Sequence, residues 1–436
     1  MPDTDCDQNT APATRLLVIQ LARFGDLVQT KRLMLSLAAR PGAQVHLAVD
    51  ASLTGLAALV YPGVIIHALA AHATGGRGAG AALAANMPVF ETLRGLSFDE
   101  VYNLNYSGLN FAVSTLFAPD TVRGHRLEHG QRHSDLWARM AMRWTRQRRF
   151  AGLNLVDFWA EFADTPVAPG TVNPVARRGG QGVGLVLAGR HSRRSLSPQV
   201  LALLAGAVVQ GTGAQRLVLI GSIAERPLAR EMMDILPKKL RGMAENTVGA
   251  TDWHGLVETL SGLDALLTPD TGTMHLAAHL GVPVHAFFLS SAWCFETGPY
   301  GLGHRVWQTD LHCAPCLETE PCPIDIQCSK AFAGRDLLRH LAGNAAFEHP
   351  EGLTGYVSAF DSLGLTFRPV LGVDPEAAQR RQFRTLLAGM LGQQMPGAVD
   401  PNLAREFQRE EDWMLPHRFK PVINHEFQDI NGKAQV

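Results

Sequence analysis

A polar cluster stands between two apolar stretches in the second half of the sequence. The segment "PDTGTMHLAAHLG", residues 269–281, directly follows the apolar run "LDALLT". The run has the length of a buried strand, and a helix is predicted to begin near residues 271–273. The free backbone N–H groups and the dipole of a helix start favour a bound anion, and threonine hydroxyls add donors. We therefore predict a phosphate site at the helix start of residues 271–273, with the hydroxyls of Thr271 and Thr273 and the imidazole of His275 as further donors.

Plainer interpretations of this segment stay open. Asp270 or Thr271 is also a typical helix cap, a role that needs no ligand. His275 and His279 are four residues apart, as in some metal sites, but no HExxH motif accompanies them. We therefore expect no metal at this helix.

A single carboxylate follows the first apolar run of the chain. The run "RLLVIQL", residues 15–21, is followed by the turn "ARFGD" and by a helical pattern. Asp26 thus lies at the carboxyl end of a predicted first strand, where it would face a cleft and accept the proton of an attacking hydroxyl. Capping of the following helix is the alternative role for Asp26.

Four cysteines are packed into the run "CAPCLETEPCPIDIQC". Cys313, Cys316, Cys322 and Cys328 have the spacing C-x2-C-x5-C-x5-C. Four thiolates this close favour a tetrahedral structural metal, zinc or iron, although the spacing is not that of a standard zinc finger. Reduced buried thiols and disulfides are the alternatives. No catalytic role is expected, because the pattern implies no open ligand position.

The composition indicates a globular protein without a strong charge preference. The chain has 436 residues, of which 46% are apolar and 18% charged, and a formal net charge of −1. This charge offers no field for a nucleic acid or a membrane surface, so no nucleic-acid partner is expected. Because there is no secretory signal and no apolar run of roughly 20 residues, we expect a cytoplasmic protein with at most peripheral contact to the inner membrane.

Strand and helix patterns alternate in both halves of the chain. This alternation predicts an α/β protein with two doubly wound halves, which we divide into domains of residues 1–170 and 171–345. No regular rhythm is evident in residues 346–436, which we treat as a C-terminal extension. The glycine-rich "GGQGVG" of residues 179–184 precedes a strand, whereas a dinucleotide fingerprint must follow one, so NAD binding is not supported.

An arginine-rich segment covers residues 123–149 in the first half. It holds eight arginines and only two acidic residues, Glu128 and Asp135. A solvated helical face explains such a run, and a surface for an anionic acceptor is the alternative.

Three blocks of the sequence together resemble the heptosyltransferases of glycosyltransferase family nine. The blocks are "LLVIQLARFGDLVQTKRLMLSLAAR", "DTGTMHLAAHLGVPVHAFF" and "GPYGLGHRV", and the likeness covers roughly residues 15–345. The resemblance implies a GT-B fold of two facing Rossmann-like lobes. It also implies inverting transfer of a heptose from ADP-heptose without a catalytic metal, with Asp26 as the general base.

The resemblance further implies roles in nucleotide-sugar binding. The DTG block, Asp270, Thr271, Gly272 and His275, would bind the pyrophosphate. Asp270, being an anion, would instead orient neighbouring N–H groups or a sugar hydroxyl. Arg193 or Arg194 stands where the family has a phosphate-binding lysine, and Glu225 stands where it commonly has an acid for the nucleotide ribose. Cysteine-rich segments, some with bound metal, also follow the GPYG block in several family members.

The implied acceptor is a hydroxyl of the lipopolysaccharide core, on Kdo or heptose. Because the extension and the cysteines depart from the simplest family members, a protein acceptor is the alternative within the same chemistry. A non-catalytic protein that binds sugar nucleotides or takes part in assembly is the alternative from a different class.

Overall fold

Short apolar runs form two sheets, both built mainly from parallel strands. The computed structural model describes residues 14–72, 79–144, 148–189, 192–317, 320–344 and 350–408. The strands are β1 Thr14–Gln20, β2 Ala43–Asp50, β3 Ile65–Leu69, β4 Glu100–Asn103, β5 Val122–Glu128, β6 Gln131–Ser134, β7 Val183–Val186, β8 Leu217–Ile220, β9 Ala244–Asn246, β10 Ala265–Pro269, β11 Val284–Phe288, β12 Arg305–Thr309, β13 Leu353–Asp361 and β14 Gly364–Leu371. The α-helices are α1 Phe24–Gln29, α2 Lys31–Ala38, α3 Thr54–Val60, α4 Ala79–Gly95, α5 Gly108–Ser114, α6 Leu136–Trp144, α7 Leu155–Ala160, α8 Pro198–Thr212, α9 Arg226–Ile235, α10 Lys238–Arg241, α11 Trp253–Ser261, α12 Gly272–His279, α13 Cys294–Thr297, α14 Arg335–Leu341, α15 Ala377–Met390 and α16 Pro401–Gln408.

The first sheet has the strand order β3-β2-β1-β4-β5-β6. Strands β1 to β5 pair in parallel, and β6 returns antiparallel to β5. Helices cover parallel sheets on both faces, and the central strand β1 is accordingly a continuous apolar run whose residues 16–19 are fully buried. The carboxyl ends of β1 to β5 therefore share one edge, and the chain order reverses beside β1, where such folds bind ligands.

The second sheet has the order β14-β13-β12-β11-β10-β7-β8-β9. Strands β7 to β12 are parallel, whereas β13 and β14 form an antiparallel hairpin at one edge. Residues 346–436, in which the sequence shows no regular rhythm, include α15, α16 and this hairpin. Its residues are apolar on both faces in places, so they lack the simple alternation that marks a half-buried strand in a sequence.

Local capping signals set the ends of the long helix α8. Ser197 precedes it and accepts a hydrogen bond from Val200 N, while Pro198 occupies its first turn. Gly213 ends it in the left-handed conformation, at φ 73°. Across the described parts of the chain, no helix is both long and apolar enough to cross a bilayer.

A buried ion pair connects the first lobe, which is built on the first sheet, with the second lobe, which is built on the second sheet, and with the C-terminal extension. Asp157 of α7 is fully buried and lies 2.7 Å from the guanidinium of Arg32 in α2. The same carboxylate accepts hydrogen bonds from the Tyr300 hydroxyl at 2.5 Å and from the backbone N–H of Leu365 at 2.7 Å. Because Tyr300 belongs to the GPYG block and Leu365 to β14, one carboxylate connects three separate parts of the chain.

Replacement of Asp157 by leucine should destabilise the protein strongly. The change leaves the Arg32 charge buried without its partner, which costs about 3–5 kcal/mol in the free energy of unfolding. Urea unfolding followed by circular dichroism measures the effect.

Asp164→Leu is the matched control. Asp164 also pairs with two arginines, Arg40 and Arg123, but its side chain is 64% exposed. Its loss should cost less than about 1 kcal/mol. Equal losses for the two variants would show that the buried pair has no special importance.

Candidate functional site

A cavity opens where the carboxyl ends of both sheets face each other. Its volume is about 890 Å³, which suits a nucleotide-sized ligand. The first lobe contributes the turn and helix after β1, and the second lobe contributes the loops after β7, β8 and β10. The lining residues that the sequence predicts as functional are Asp26, Arg194, Glu225, Asp270, Thr271, Gly272, Thr273 and His275.

Asp26 combines the two roles that the sequence left open. Its carboxylate accepts a hydrogen bond from Arg23 N at 3.1 Å and so caps its own helix, α1. The side chain also lines the cavity. Burial raises the pKa of Asp26 above its usual value, and the charge of Asp270 across the cavity raises it further, against the lowering effect of Arg23. A carboxylate with a raised pKa holds a proton more readily than an ordinary aspartate does.

The start of α12 forms the opposite wall of the cavity. Thr271, rather than Asp270, is the cap, and its hydroxyl accepts a hydrogen bond from Met274 N. Gly272 and Thr273 follow as the first helical residues and also line the cavity. Since backbone N–H groups at this position have no acceptor within the helix, this wall can bind an anion.

Asp270 and Arg194 form an ion pair at the edge of this wall. The guanidinium of Arg194 contacts the carboxylate of Asp270, which also accepts a hydrogen bond from the Thr297 hydroxyl at 3.1 Å. His275 Nε2 lies 4.0 Å from the same carboxylate. Burial lowers the pKa of His275 to about 4, so its imidazole is neutral at pH 7 and can donate one hydrogen bond.

Arg193 is placed differently from its neighbour. Its side chain does not line the cavity. Its guanidinium instead donates to the carbonyl of Glu320 at 2.5 Å and to the sulfur of Cys316 at 3.3 Å. The two arginines are consecutive in a tight turn, so their side chains diverge. Of the two candidates for the phosphate-binding position, only Arg194 reaches the cavity.

Glu225 lines the cavity from the second lobe, on the turn after β8. Its carboxylate accepts a hydrogen bond from Ser222 N in a capping box at the end of β8. Part of its hydrogen-bonding capacity is therefore used by the local turn. A carboxylate has about four acceptor positions, so others remain for a ligand hydroxyl.

Two aromatic residues in the cavity wall were missed by the sequence reasoning. Phe24 of the first lobe and Trp253 of the second pack edge to face, with ring centroids 5.0 Å apart. The Trp253 indole N–H donates to the Ser52 carbonyl at 3.3 Å, also in the first lobe. Single aromatic residues at helix starts carry no spacing pattern, so nothing in the sequence marked them.

The four cysteines surround one small cavity of their own. Cys313, Cys316, Cys322 and Cys328 all line it, together with Ser290 and Ile326. All four are free thiols in the structure, and burial raises the pKa of Cys328. Within the described ranges, no group of three or more His, Cys, Asp or Glu side chains is already arranged as metal ligands. The predicted clustering is thus present, while the predicted metal remains a proposal.

Ion pairs neutralise much of the arginine-rich segment. Arg126 binds Asp135 at 2.9 Å within the segment. Three others bind acids outside it, in the pairs Arg123 with Glu100, Arg148 with Glu296, and Arg149 with Asp310. Arg148 and Arg149 therefore fasten the end of the first lobe to loops of the second.

Comparisons with known proteins point to one family. The sequence model of "Glycosyltransferase family 9 (heptosyltransferase)" matches residues 205–324. A curated relative, lipooligosaccharide heptosyltransferase 2 of Haemophilus influenzae, is 31% identical over 77 residues, or 18% of this chain. The match spans 22% of that relative's length.

Solved structures show the same fold. A glycosyl transferase family 9 protein from Veillonella parvula has a TM-score of 0.55 and 15% identity, covering 69% of this chain and 88% of its own. The ADP-heptose LPS heptosyltransferase II of E. coli has a TM-score of 0.53 and 18% identity, covering 76% and 98%. Together these matches confirm the predicted α/β GT-B fold and the resemblance to the heptosyltransferase family.

The contact between Phe24 and Gly272 gives a testable consequence for the cavity. A Cβ atom at Gly272 would lie 2.3 Å from Phe24 Cδ1. Gly272→Ala should therefore lower the free energy of unfolding by about 1–3 kcal/mol, as overpacking does. The cost should shrink when Phe24→Ala is present as well, and urea unfolding of the four proteins of this double-mutant cycle measures the coupling.

Gly206→Ala in α8 is the control. A Cβ atom there meets its nearest neighbour, Leu240 Cδ1, at an ordinary 3.6 Å. Alanine should stabilise this helix by up to about 1 kcal/mol. A Gly272→Ala protein as stable as the wild type would contradict the close approach of the two lobes.

Proposed function

We propose that this chain, which shares the fold of the family 9 heptosyltransferases and resembles them in sequence, is an inverting glycosyltransferase. It moves a heptose from ADP-heptose to a hydroxyl of the lipopolysaccharide core, on Kdo or on heptose. The observation that carries the proposal is the shared cavity, in which Asp26 of one lobe faces the anion-binding wall of the other.

The second lobe supplies the binding site of the donor diphosphate. The N–H groups at the start of α12 and the neutral His275 donate hydrogen bonds to it. The guanidinium of Arg194 has five N–H donors, so it can bind Asp270 and a phosphate oxygen together. These donors lie where negative charge grows as the diphosphate leaves, and such preorganised groups lower the barrier.

Asp26 is the proposed general base. It takes the proton of the acceptor hydroxyl as that oxygen attacks the anomeric carbon from the face opposite the diphosphate. Its raised pKa makes it a stronger base than an exposed aspartate. Asp270 keeps Arg194 in place and has no direct contact with the leaving anion in this scheme.

The names of the relatives support a glycolipid acceptor. The curated relative is a lipooligosaccharide heptosyltransferase, and a solved structure of the same fold is an LPS heptosyltransferase. A protein acceptor uses the same donor chemistry and is the alternative. Release of ADP with a core oligosaccharide, but not with peptides, would separate the two.

Asp26→Asn should abolish transfer while preserving nucleotide binding. Asparagine keeps the acceptor that caps α1 but cannot take a proton, so turnover should fall about 10²–10⁴-fold. The measurement incubates the protein with ADP-, UDP- and GDP-sugars and an acceptor, and detects the released nucleotide by mass spectrometry. The affinity for ADP should stay within about twofold, because the base contributes no phosphate contact.

Asp164 is exposed and does not line the cavity, so the Asp164→Asn variant should turn over substrate at the wild-type rate. In the wild type, kcat/KM should fall as the pH drops through a pKa above the ordinary 3.8 of aspartate, because the base must be ionised. Unchanged turnover in Asp26→Asn would refute its role as the base. If the wild type releases no nucleotide from any donor, this result would favour the non-catalytic alternative.

We also propose that the four cysteines bind a structural zinc or iron. All four line one small cavity, and thiolates are the preferred ligands of both metals. The metal would hold the loop of residues 313–328 together and would take no part in the transfer step.

Metal analysis of the purified protein tests this site. The wild type should contain about one zinc or iron per chain, as a four-cysteine site does. Cys316→Ser together with Cys322→Ser should lose it, whereas Cys294→Ser should not, since Cys294 is buried elsewhere, at the start of α13. A metal-free wild type purified without chelators would exclude the site.

A further inference from the structure

Gln29 is a cavity residue to which the scheme above gives no role. It is the last residue of α1 and follows Asp26 by three positions, so the two side chains lie on the same face of the helix. Both line the cavity. Gln29 is only 4% exposed, so it lies deep in the wall that the first lobe contributes.

The amide of Gln29 is incompletely satisfied by the protein. Its Oε1 atom is buried and has no hydrogen-bond partner among the described residues. Buried amides are nearly always hydrogen-bonded, because burial without a partner costs free energy. An exception in a cavity wall indicates that a ligand supplies the partner.

A second buried glutamine nearby shows the usual arrangement. Gln20 of β1 donates from Nε2 to the Thr30 hydroxyl at 3.0 Å, and its Oε1 accepts from Ala22 N at 3.4 Å. Both the nitrogen and the oxygen of its amide are therefore hydrogen-bonded within the protein. Both glutamines are almost fully buried, but of the two amide oxygens only that of Gln20 has a hydrogen-bond partner among the described residues.

The position of Gln29 indicates which part of the donor molecule it would contact. Glu225 lies on the loop after β8, and the anion-binding wall lies at the start of α12. In the proposed scheme, a nucleotide that contacts these two features would extend its sugar across the cavity toward Asp26. Gln29 lies three residues after Asp26 in the wall that the first lobe contributes, so it would contact the sugar rather than the nucleoside.

We propose that Gln29 is a sugar-binding residue, whose side-chain amide hydrogen-bonds a hydroxyl of the transferred sugar. An amide both donates and accepts, as a hydroxyl does, so the two are matched partners. Being uncharged, the amide fixes the orientation of the sugar without changing the charge around Asp26. A donor sugar without this hydroxyl would leave the amide unpaired, which makes Gln29 a determinant of specificity. This inference rests on the proposed function.

Gln29→Met tests the role, because methionine has a similar size and helix propensity but no amide. The melting temperature should stay the same or rise, since a buried orphan oxygen is removed. The dissociation constant for ADP, measured by calorimetric titration, should stay within about twofold, because ADP lacks the sugar. The dissociation constant for ADP-heptose should increase roughly tenfold, because one uncharged hydrogen bond is lost, and kcat/KM should fall at least as much.

Gln20→Met is the matched control for a structural glutamine. It should lower the melting temperature, because Ala22 N and the Thr30 hydroxyl lose a buried partner. A melting temperature that falls equally in Gln29→Met would assign Gln29 to the fold and overturn the inference.

The remaining outcomes separate this inference from the proposed function. If the wild type binds and turns over ADP-heptose and Gln29→Met does so equally well, the inference fails while the function stands. Equal weakening of ADP and ADP-heptose binding would place Gln29 at the nucleotide and also overturn it. If the wild type releases no nucleotide from any sugar donor, the proposed function fails and the sugar site fails with it.

Discussion

The close approach of α1 to α12 is the contact on which the site depends. It is possible because glycines stand at both helix starts: a Cβ atom at Gly25 would lie 3.2 Å from the His275 ring, and one at Gly272 would overlap Phe24. Each helix begins at the carboxyl end of a central strand, β1 or β10. Their contact therefore turns two separate sheet edges into one cavity, with a carboxylate on one side and an anion-binding wall on the other.

This closeness has an electrostatic consequence. Asp26 and Asp270 face each other from different lobes, and the charge of Asp270 disfavours ionisation of Asp26. Arg194 and Thr297 bind Asp270 directly, whereas Asp26 accepts the helix-capping N–H of Arg23. Burial is the largest cause of the raised pKa of Asp26, and the charge of Asp270 adds to it. The ion pair of Asp270 with Arg194 keeps a cation beside the start of α12.

Sequence reasoning found the parts of the site that follow strand ends. Asp26 and the DTG block each come directly after a buried apolar run, and parallel topology alone brings such positions to one edge. It could not decide between Arg193 and Arg194, because the direction of a side chain in a tight turn depends on backbone angles that composition does not reveal. Trp253 and the hairpin of β13 and β14 were not predicted, because their positions depend on contacts with residues that are distant in the sequence. Gln29 has no motif at all, and only the lack of a partner for its buried oxygen distinguishes it from Gln20.

The divergence of Arg193 and Arg194 links the cysteine loop to the cavity. Arg193 is bound by the Glu320 carbonyl and the Cys316 sulfur, and the next residue contacts Asp270 at the anion-binding wall. Because the two residues share one short turn, these contacts with residues 316 and 320 help to fix the backbone that carries Arg194. This positional effect requires no chemistry of the thiols themselves. A rigid cross-link among the four cysteines would strengthen that constraint, which gives a structural reason for placing them beside an arginine rather than elsewhere on the second lobe.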